Sequence, residues 1–215
     1  MTTIGVLALQ GAFSEHVKKL QRIGTDAREV RLPADLDGLD GLIIPGGEST
    51  TIGKLIERFD LRDGILALAA AGRPIWGTCA GMILLARDVL EETRGRDQPL
   101  LGMLDVAVRR NAFGSQLDSF EADLEMPLLG DEPLPVVFIR APVIASVGPD
   151  VEVLARLDDG RIVAVRQGNL VATAFHPELT DDDRFHTWFV EQVRAAERAG
   201  AAASAGRAVS ARAGF

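Results

Sequence analysis

The chain contains a single cysteine, Cys79, so an internal disulfide is excluded and thiol chemistry rests on one side chain. This fits a reducing compartment. No apolar run is long enough to cross a bilayer, and Met1-Thr2-Thr3 leads into a strand-like segment without a signal-peptide pattern. A soluble, cytoplasmic protein is expected. The formal charge is −8, so there is no basic surplus with which to hold nucleic acid or an anionic membrane, and neither is an expected partner. Dinucleotide and Walker A fingerprints are also lacking: Pro45-Gly46-Gly47-Glu48-Ser49 is not followed by the Gly or Gly-Lys that those patterns require. No internal repeat is visible.

The 215 residues, 47% hydrophobic and 25% charged, suffice for one substantial core. In the first half, apolar runs at residues 4–9, 27–32 and 40–45 are each followed by a turn signal. Apolar residues at helical spacing mark the helices: Phe13, Val17 and Leu20, then Ile52, Leu55, Ile56 and Phe59. A further helix is expected over 61–71, closed by Gly72. Runs without polar alternation suggest strands covered on both faces, as in a parallel sheet. Residues 91–99 are polar and rich in breakers, and read as a surface loop. Beyond them short strand candidates follow closely, at 104–108, 120–124, 136–139, 151–157, 162–166 and 170–175, so the second half should include antiparallel pairing. Phe185, Trp188, Phe189 and Val193 mark a last helix face. Residues 199–214 are almost wholly Ala, Gly, Ser and Arg, and a peripheral or mobile tail is expected over 197–215 after one domain at 1–196.

The pattern around Cys79 carries the chemistry. An apolar run, Pro74-Ile75-Trp76, breaks at Gly77-Thr78-Cys79-Ala80-Gly81 and resumes as the helical Met82-Ile83-Leu84-Leu85. This is a strand, a tight turn and a helix, the G-x-S-x-G elbow with sulfur in place of oxygen. The turn exposes the side chain and sets Cys79 at a helix N-terminus, which favours a thiolate. A lone cysteine after an apolar strand is more often a small buried hydrophobe, and the paired glycines argue against that. A base and its orienting group are offered by Phe175-His176-Pro177-Glu178, with Glu178 two residues on in an extended segment and so on the same side as His176. The alternative is a turn start in which Glu178 merely caps and His176 is exposed. His16 and His186 lie in helical patterns without an adjacent carboxylate and are expected to be solvated surface residues. The Gly46-Gly47 turn could aim backbone N–H groups at a developing oxyanion, together with the Ala80 N–H; it could equally be a βα turn capped by Ser49 or Thr50.

These motifs, with Leu9-Gln10-Gly11-Ala12, Arg110-Asn111, Phe113-Gly114, Ser119-Phe120-Glu121 and Phe138-Ile139-Arg140-Ala141-Pro142, resemble class I (triad) glutamine amidotransferases. Within that class the match is to the glutaminase subunits of pyridoxal 5′-phosphate synthases. The resemblance implies an α/β three-layer sandwich, flavodoxin-like, with a mainly parallel central sheet and a smaller antiparallel region. It implies hydrolysis of L-glutamine to glutamate and ammonia through a Cys79, His176 and Glu178 triad and a thioester, with no cofactor or metal. The ammonia would pass to a (βα)8-barrel synthase subunit. Gly47 and Ala80 would form the oxyanion hole; Gly47, Glu48, Ser49, Arg110, Ile139 and Arg140 would contact substrate; Gln10 would couple the partner interface to the oxyanion turn. An amidotransferase serving another synthase, such as imidazole glycerol phosphate synthase, and a catalytically silent scaffold are the competing readings. The 93–99 loop and the tail beyond about Ala196 depart from the pattern, as does Ser115, where relatives often carry a basic residue.

Overall fold

The computed structural model describes residues 1–90, 98–110 and 119–212. In chain order it forms β1 (Thr3–Leu7), α1 (Phe13–Arg22), β2 (Asp26–Val30), β3 (Gly41–Ile44), α2 (Ser49–Arg58), α3 (Arg62–Ala70), β4 (Ile75–Thr78) and α4 (Ala80–Leu85). There follow β5 (Ala86–Val89), β6 (Leu104–Arg109), β7 (Ser119–Leu124), β8 (Leu134–Ile139), β9 (Val143–Val147), β10 (Glu152–Arg156), β11 (Ile162–Gln167), β12 (Leu170–Thr173) and α5 (Arg184–Arg212).

The main sheet runs β2-β1-β3-β4-β12-β11-β9-β6-β5, with β10 paired to β11. Every pairing from β2 through β12 is parallel. Strands β3, β4 and β12 are buried at all four of their positions, which is why their sequences are continuously apolar or small. Neighbouring residues of β4 show what covers the two faces. Trp76 packs on His186, Phe185 and Phe189 of α5 and on His16 of α1, whereas a side chain on Gly77 would run into Gly81 and Leu85 of α4. Successive strand residues point to opposite faces, so α1 and α5 lie on one side and α4, with α2 against it, on the other. This is a layered α/β fold with a mixed, largely parallel sheet.

The antiparallel pairing expected in the second half joins β10, β11, β12, β9 and β6 into the same sheet. Strands β7 and β8 form a separate antiparallel hairpin, with Phe120 stacked on Phe138 at 4.6 Å between ring centroids. Strands β5 and β9 were not expected. Strand β5 is an edge strand carrying Arg87 and Asp88 half in solvent, and the apolar start of β9 gives way to exposed Ala145 and Ser146, so neither shows a clear period. Helix α5 continues to Arg212, across the boundary that composition suggested at 196. Alanine is the strongest helix former, so an Ala-rich segment can extend a helix without burying anything; the last buried residue of α5 among those described is Val193. The 93–97 part of the loop, and Asn111, Phe113, Gly114 and Ser115, lie outside the described residues.

The parallel strands β1, β3, β4 and β12 end on one edge, and their carboxyl ends deliver Gln10, Gly46, Cys79 and His176. At this edge the backbones of β3 and α4 nearly touch. A Cβ on Gly81 would lie 2.0 Å from the Ile44 carbonyl oxygen, and one on Gly77 would lie 2.5 Å from the Gly81 carbonyl. Gly81→Ala is therefore expected to cost about 3 kcal/mol of stability or more, because backbone rather than a flexible side chain must yield. Gly200→Ala, whose Cβ meets nothing, should leave the urea unfolding midpoint unchanged or slightly raised.

Candidate active site

The elbow is strained at Cys79 itself, whose φ is +48° and ψ −101°. Neither flanking glycine has positive φ. They are required for close approach, not for turn flexibility. Such a conformation costs about 1–3 kcal/mol and persists only where its surroundings over-determine it. Here the Cys79 N–H donates to the Thr173 carbonyl at 2.7 Å, and the Cys79 carbonyl accepts from the Ile83 N–H at 3.3 Å. Cys79 is buried, 7% exposed, and its sulfur lies 4.0 Å from the Ile139 carbonyl oxygen of β8.

His176 and Glu178 do not continue in an extended strand. The chain turns at His176 into a 3-10 turn, Pro177–Leu179, which folds Glu178 back beneath the imidazole. His176 Nδ1 is 2.7 Å from Glu178 Oε1, and the ring lines the same cleft as Cys79. The His176 N–H donates to Val137 of β8 at 2.8 Å, so the β7–β8 hairpin helps hold the turn. Burial acts to lower the His176 pKa, but Cys79 and Glu178 on its two sides outweigh it and raise it to about 10. Burial also acts to raise the Glu178 pKa, yet the facing His16 and His176 rings hold the carboxyl below its usual range.

A cleft of about 500 Å³ opens above Cys79, lined by Gln10, Gly46, Gly47, Glu48, Ser49, Ala80, Arg110, Ile139, Arg140 and His176 among others. The structure thus brings Gln10, Gly47, Glu48, Ser49, Cys79, Ala80, Arg110, Ile139, Arg140 and His176 to one cleft, with Glu178 buried behind His176. Glu48, not Ser49 or Thr50, caps α2, its carboxylate accepting from the Thr50 and Thr51 N–H groups at 3.2 and 2.6 Å. Gln10 Oε1 accepts from the Glu48 N–H at 2.8 Å. The Gly46 carbonyl accepts from the Ala12 N–H at 3.0 Å. Arg140 has φ +42° at the rim.

The family model of the SNO glutamine amidotransferase family matches residues 6–195. The chain belongs to this family. It is 62% identical over 188 residues to the pyridoxal 5′-phosphate synthase subunit PdxT of Herpetosiphon aurantiacus, covering 87% of this chain and 98% of that relative. It is 56% identical over 190 residues to the protein of the same name from Moorella thermoacetica, covering 88% and 98%. A crystal structure titled glutamine amidotransferase superposes with a TM-score of 0.82 at 50% identity, over 88% of this chain and 98% of that one. A chain of PurLQS from Thermotoga maritima, 18% identical over 88% of this chain and 98% of that one, shares the fold with a TM-score of 0.65.

Two features of this amidotransferase site differ from what the sequence suggests. His16 and His186 are not solvated; both are completely buried, with His16 Nδ1 2.9 Å from His186 Nε2. The helical period does place them inward: His16 falls on the stripe of Phe13, Val17 and Leu20, and His186 on that of Phe189 and Val193. Polarity points the other way, and position on the helix decides. The second feature is Gln98, at the end of the breaker-rich loop, where sequence gives no signal. Its Oε1 accepts from Ser49 Oγ at 3.2 Å, Thr50 Oγ1 at 2.9 Å and Arg110 Nη1 at 3.0 Å, tying the start of α2 to the arginine.

Two outcomes are expected. Gln98→Ala should raise the KM for the substrate of this cleft about tenfold with kcat little changed, since only the orientation of Ser49 and Arg110 is lost. The raised His176 pKa contributes stability that is fully present below about pH 6.5 and lost as pH rises through about 10. In a ¹⁵N NMR titration the ring should remain an imidazolium at pH 8, and in Cys79→Ala it should deprotonate at lower pH.

Proposed function

We propose that this chain is the glutamine-hydrolysing subunit of a pyridoxal 5′-phosphate synthase, releasing glutamate and passing ammonia to a (βα)8-barrel synthase subunit in the cytoplasm. The observation that carries the reading is Cys79 at a strained elbow, sharing one cleft with a His176 whose ring is held by a buried Glu178. The name of the relatives supplies the pathway.

In this mechanism the Cys79 sulfur attacks the carboxamide carbon of L-glutamine. The carbonyl oxygen becomes an oxyanion received by the Gly47 and Ala80 N–H groups. His176, protonated, gives its proton to the departing nitrogen, and ammonia leaves as the tetrahedral species collapses to a thioester. The neutral imidazole then takes a proton from water, hydroxide adds to the thioester, and glutamate departs with the thiolate restored. Glu178 keeps Nδ1 of His176 protonated and its ring aligned. Glu48 and Ser49 at the start of α2, Ile139 and the guanidinium groups of Arg110 and Arg140 would grip the glutamine head group, an arginine being suited to its α-carboxylate. No step calls for a cofactor or metal.

The Gly46-Gly47 peptide is proposed to gate the reaction, with Gln10 linking it to the partner interface. Glutamine hydrolysis should accordingly be much faster with the synthase subunit than without; equal rates would remove the gating idea. Cys79→Ala should reduce glutamine hydrolysis by about 10³-fold or more. Association with the synthase should persist, as should pyridoxal 5′-phosphate formation from added ammonium. A Cys79→Ala chain that loses neither the glutamine-dependent reaction nor partner binding would point to a scaffold.

A further inference from the structure

The buried carboxylate of Glu178 has a second oxygen that the triad does not use. Oε1 meets His176, whereas Oε2 is fully buried and makes no hydrogen bond of ordinary length among the described residues. The group facing it is His16 of α1, whose Nε2 is 3.5 Å away and also 3.4 Å from the Thr78 hydroxyl oxygen. His16 Nδ1 is in turn 2.9 Å from His186 Nε2, and His186 Nδ1 is buried with no hydrogen-bond partner among the described residues. The cluster is closed by Trp76, whose ring centroid is 5.4 Å from that of His16 and 5.0 Å from that of His186.

Counting protons along this line fixes its direction. With both rings neutral, the 2.9 Å contact holds one proton. If His16 Nδ1 carried it, Nε2 would turn a lone pair toward the carboxylate, and His186 would be left with a buried N–H that has no acceptor. If His186 Nε2 carries it, His16 Nδ1 accepts, and His16 Nε2–H is directed at Thr78 and at Glu178 Oε2. Only a lone pair at His186 Nδ1 then goes unpaired. The second arrangement avoids both an uncompensated donor and a repulsive contact with a buried charge.

We propose that His16 is a positioning residue for the hydrolytic reaction, presenting Nε2–H to the far oxygen of Glu178 in a tautomer fixed by His186. This rests on the glutaminase reading. His16 acts through Glu178, which acts through His176; it touches neither Cys79 nor substrate. The charged and titratable groups around it are Glu178 on the 3-10 turn and His176 just before it, His186 on α5, and Glu15 and Lys19 on α1. Lys19 is engaged elsewhere, donating to the Asp182 carbonyl at 2.9 Å and pairing with Asp183 at 3.0 Å. Burial drives the pKa of both His16 and His186 down, in keeping with neutral rings. Without the N–H, Glu178 would retain charge less readily and support a weaker imidazolium at His176.

The test uses the complex with the synthase subunit, with glutamine hydrolysis followed across pH. His16→Phe fills the volume but removes the donor, and kcat should fall about tenfold or more while the KM for glutamine changes by less than about threefold. The acid limb of the kcat profile should move to higher pH. His16→Gln, which can place an amide N–H where Nε2 lies, should recover most of the loss. In the unmodified protein, ¹⁵N NMR should show His16 as the neutral Nε2–H tautomer through the active pH range, a readout independent of how any variant folds. A His16→Phe enzyme within twofold of the parent in kcat with an unmoved acid limb would overturn the proposal. So would a His16→Gln enzyme as poor as His16→Phe, or an Nδ1–H or cationic His16. Absence of glutamine hydrolysis by the unmodified complex would instead sink the glutaminase reading and leave the tautomer measurement standing.

Discussion

The near-contact of bare backbone between β3, β4 and α4 is the constraint from which the site is built. A chain that must reverse from strand to helix within one residue, while α4 lies against the Ile44 carbonyl, has no room for a side chain at Gly77 or Gly81. Cys79 is then left to absorb the reversal in a backbone conformation that L-residues avoid. The surrounding sheet makes this tolerable. Thr173 of β12 takes the Cys79 N–H, and β12 is the strand whose continuation carries His176, so the bond that stabilises the strained residue also sets the spacing between thiol and imidazole.

Electrostatics supplies the second layer. A carboxylate as buried as Glu178 is expensive unless its oxygens meet donors or positive charge. Folding Glu178 under His176 meets one oxygen, and the histidines of α1 and α5 stand behind the other. These helices come from opposite ends of the chain and share one face of the sheet around Trp76, so the packing that closes the domain also surrounds the charge. A buried negative charge beside His176 favours the imidazolium, the form able to protonate a leaving nitrogen.

Much of this was legible in the order of residues. The unalternating runs of β1, β3 and β4 and the glycines about Cys79 identify a parallel sheet and an elbow because burial on both faces and backbone contact leave few residue types possible. What stayed hidden depends on which distant segments meet. His16 and His186 are 170 positions apart, and nothing local announces that two helix stripes converge; each has the polarity of a residue placed in water. Gln98 is similar: its role comes from three donors contributed by α2 and the end of β6, not from its neighbours. The edge strand β5 was hidden for a different reason, since exposure at two consecutive positions, Arg87 and Asp88, erases the period on which strand recognition relies.

The turn after β3 shows how far the two kinds of information combine. Gly11, with φ +97°, has no space for a Cβ because the Gly46 carbonyl oxygen would lie 1.8 Å from it, and the neighbouring Ala12 N–H holds that same oxygen. In a trans peptide the carbonyl and the next N–H point in opposite directions, so fixing the Gly46 oxygen on the β1 loop also fixes where the Gly47 N–H points. Gln10, from the same loop, holds the following N–H, that of Glu48. The orientation of the proposed oxyanion donor is thus a property of residues 10–12, not of the glycine turn that contains it. A displacement of that loop would release the Gly46 oxygen, and the glycines on both sides of the peptide impose little resistance to its rotation. The loop after β1 is consequently the segment proposed to carry a bound partner's influence to the proposed oxyanion donor without moving Cys79, His176 or Glu178, whose positions are set by other strands.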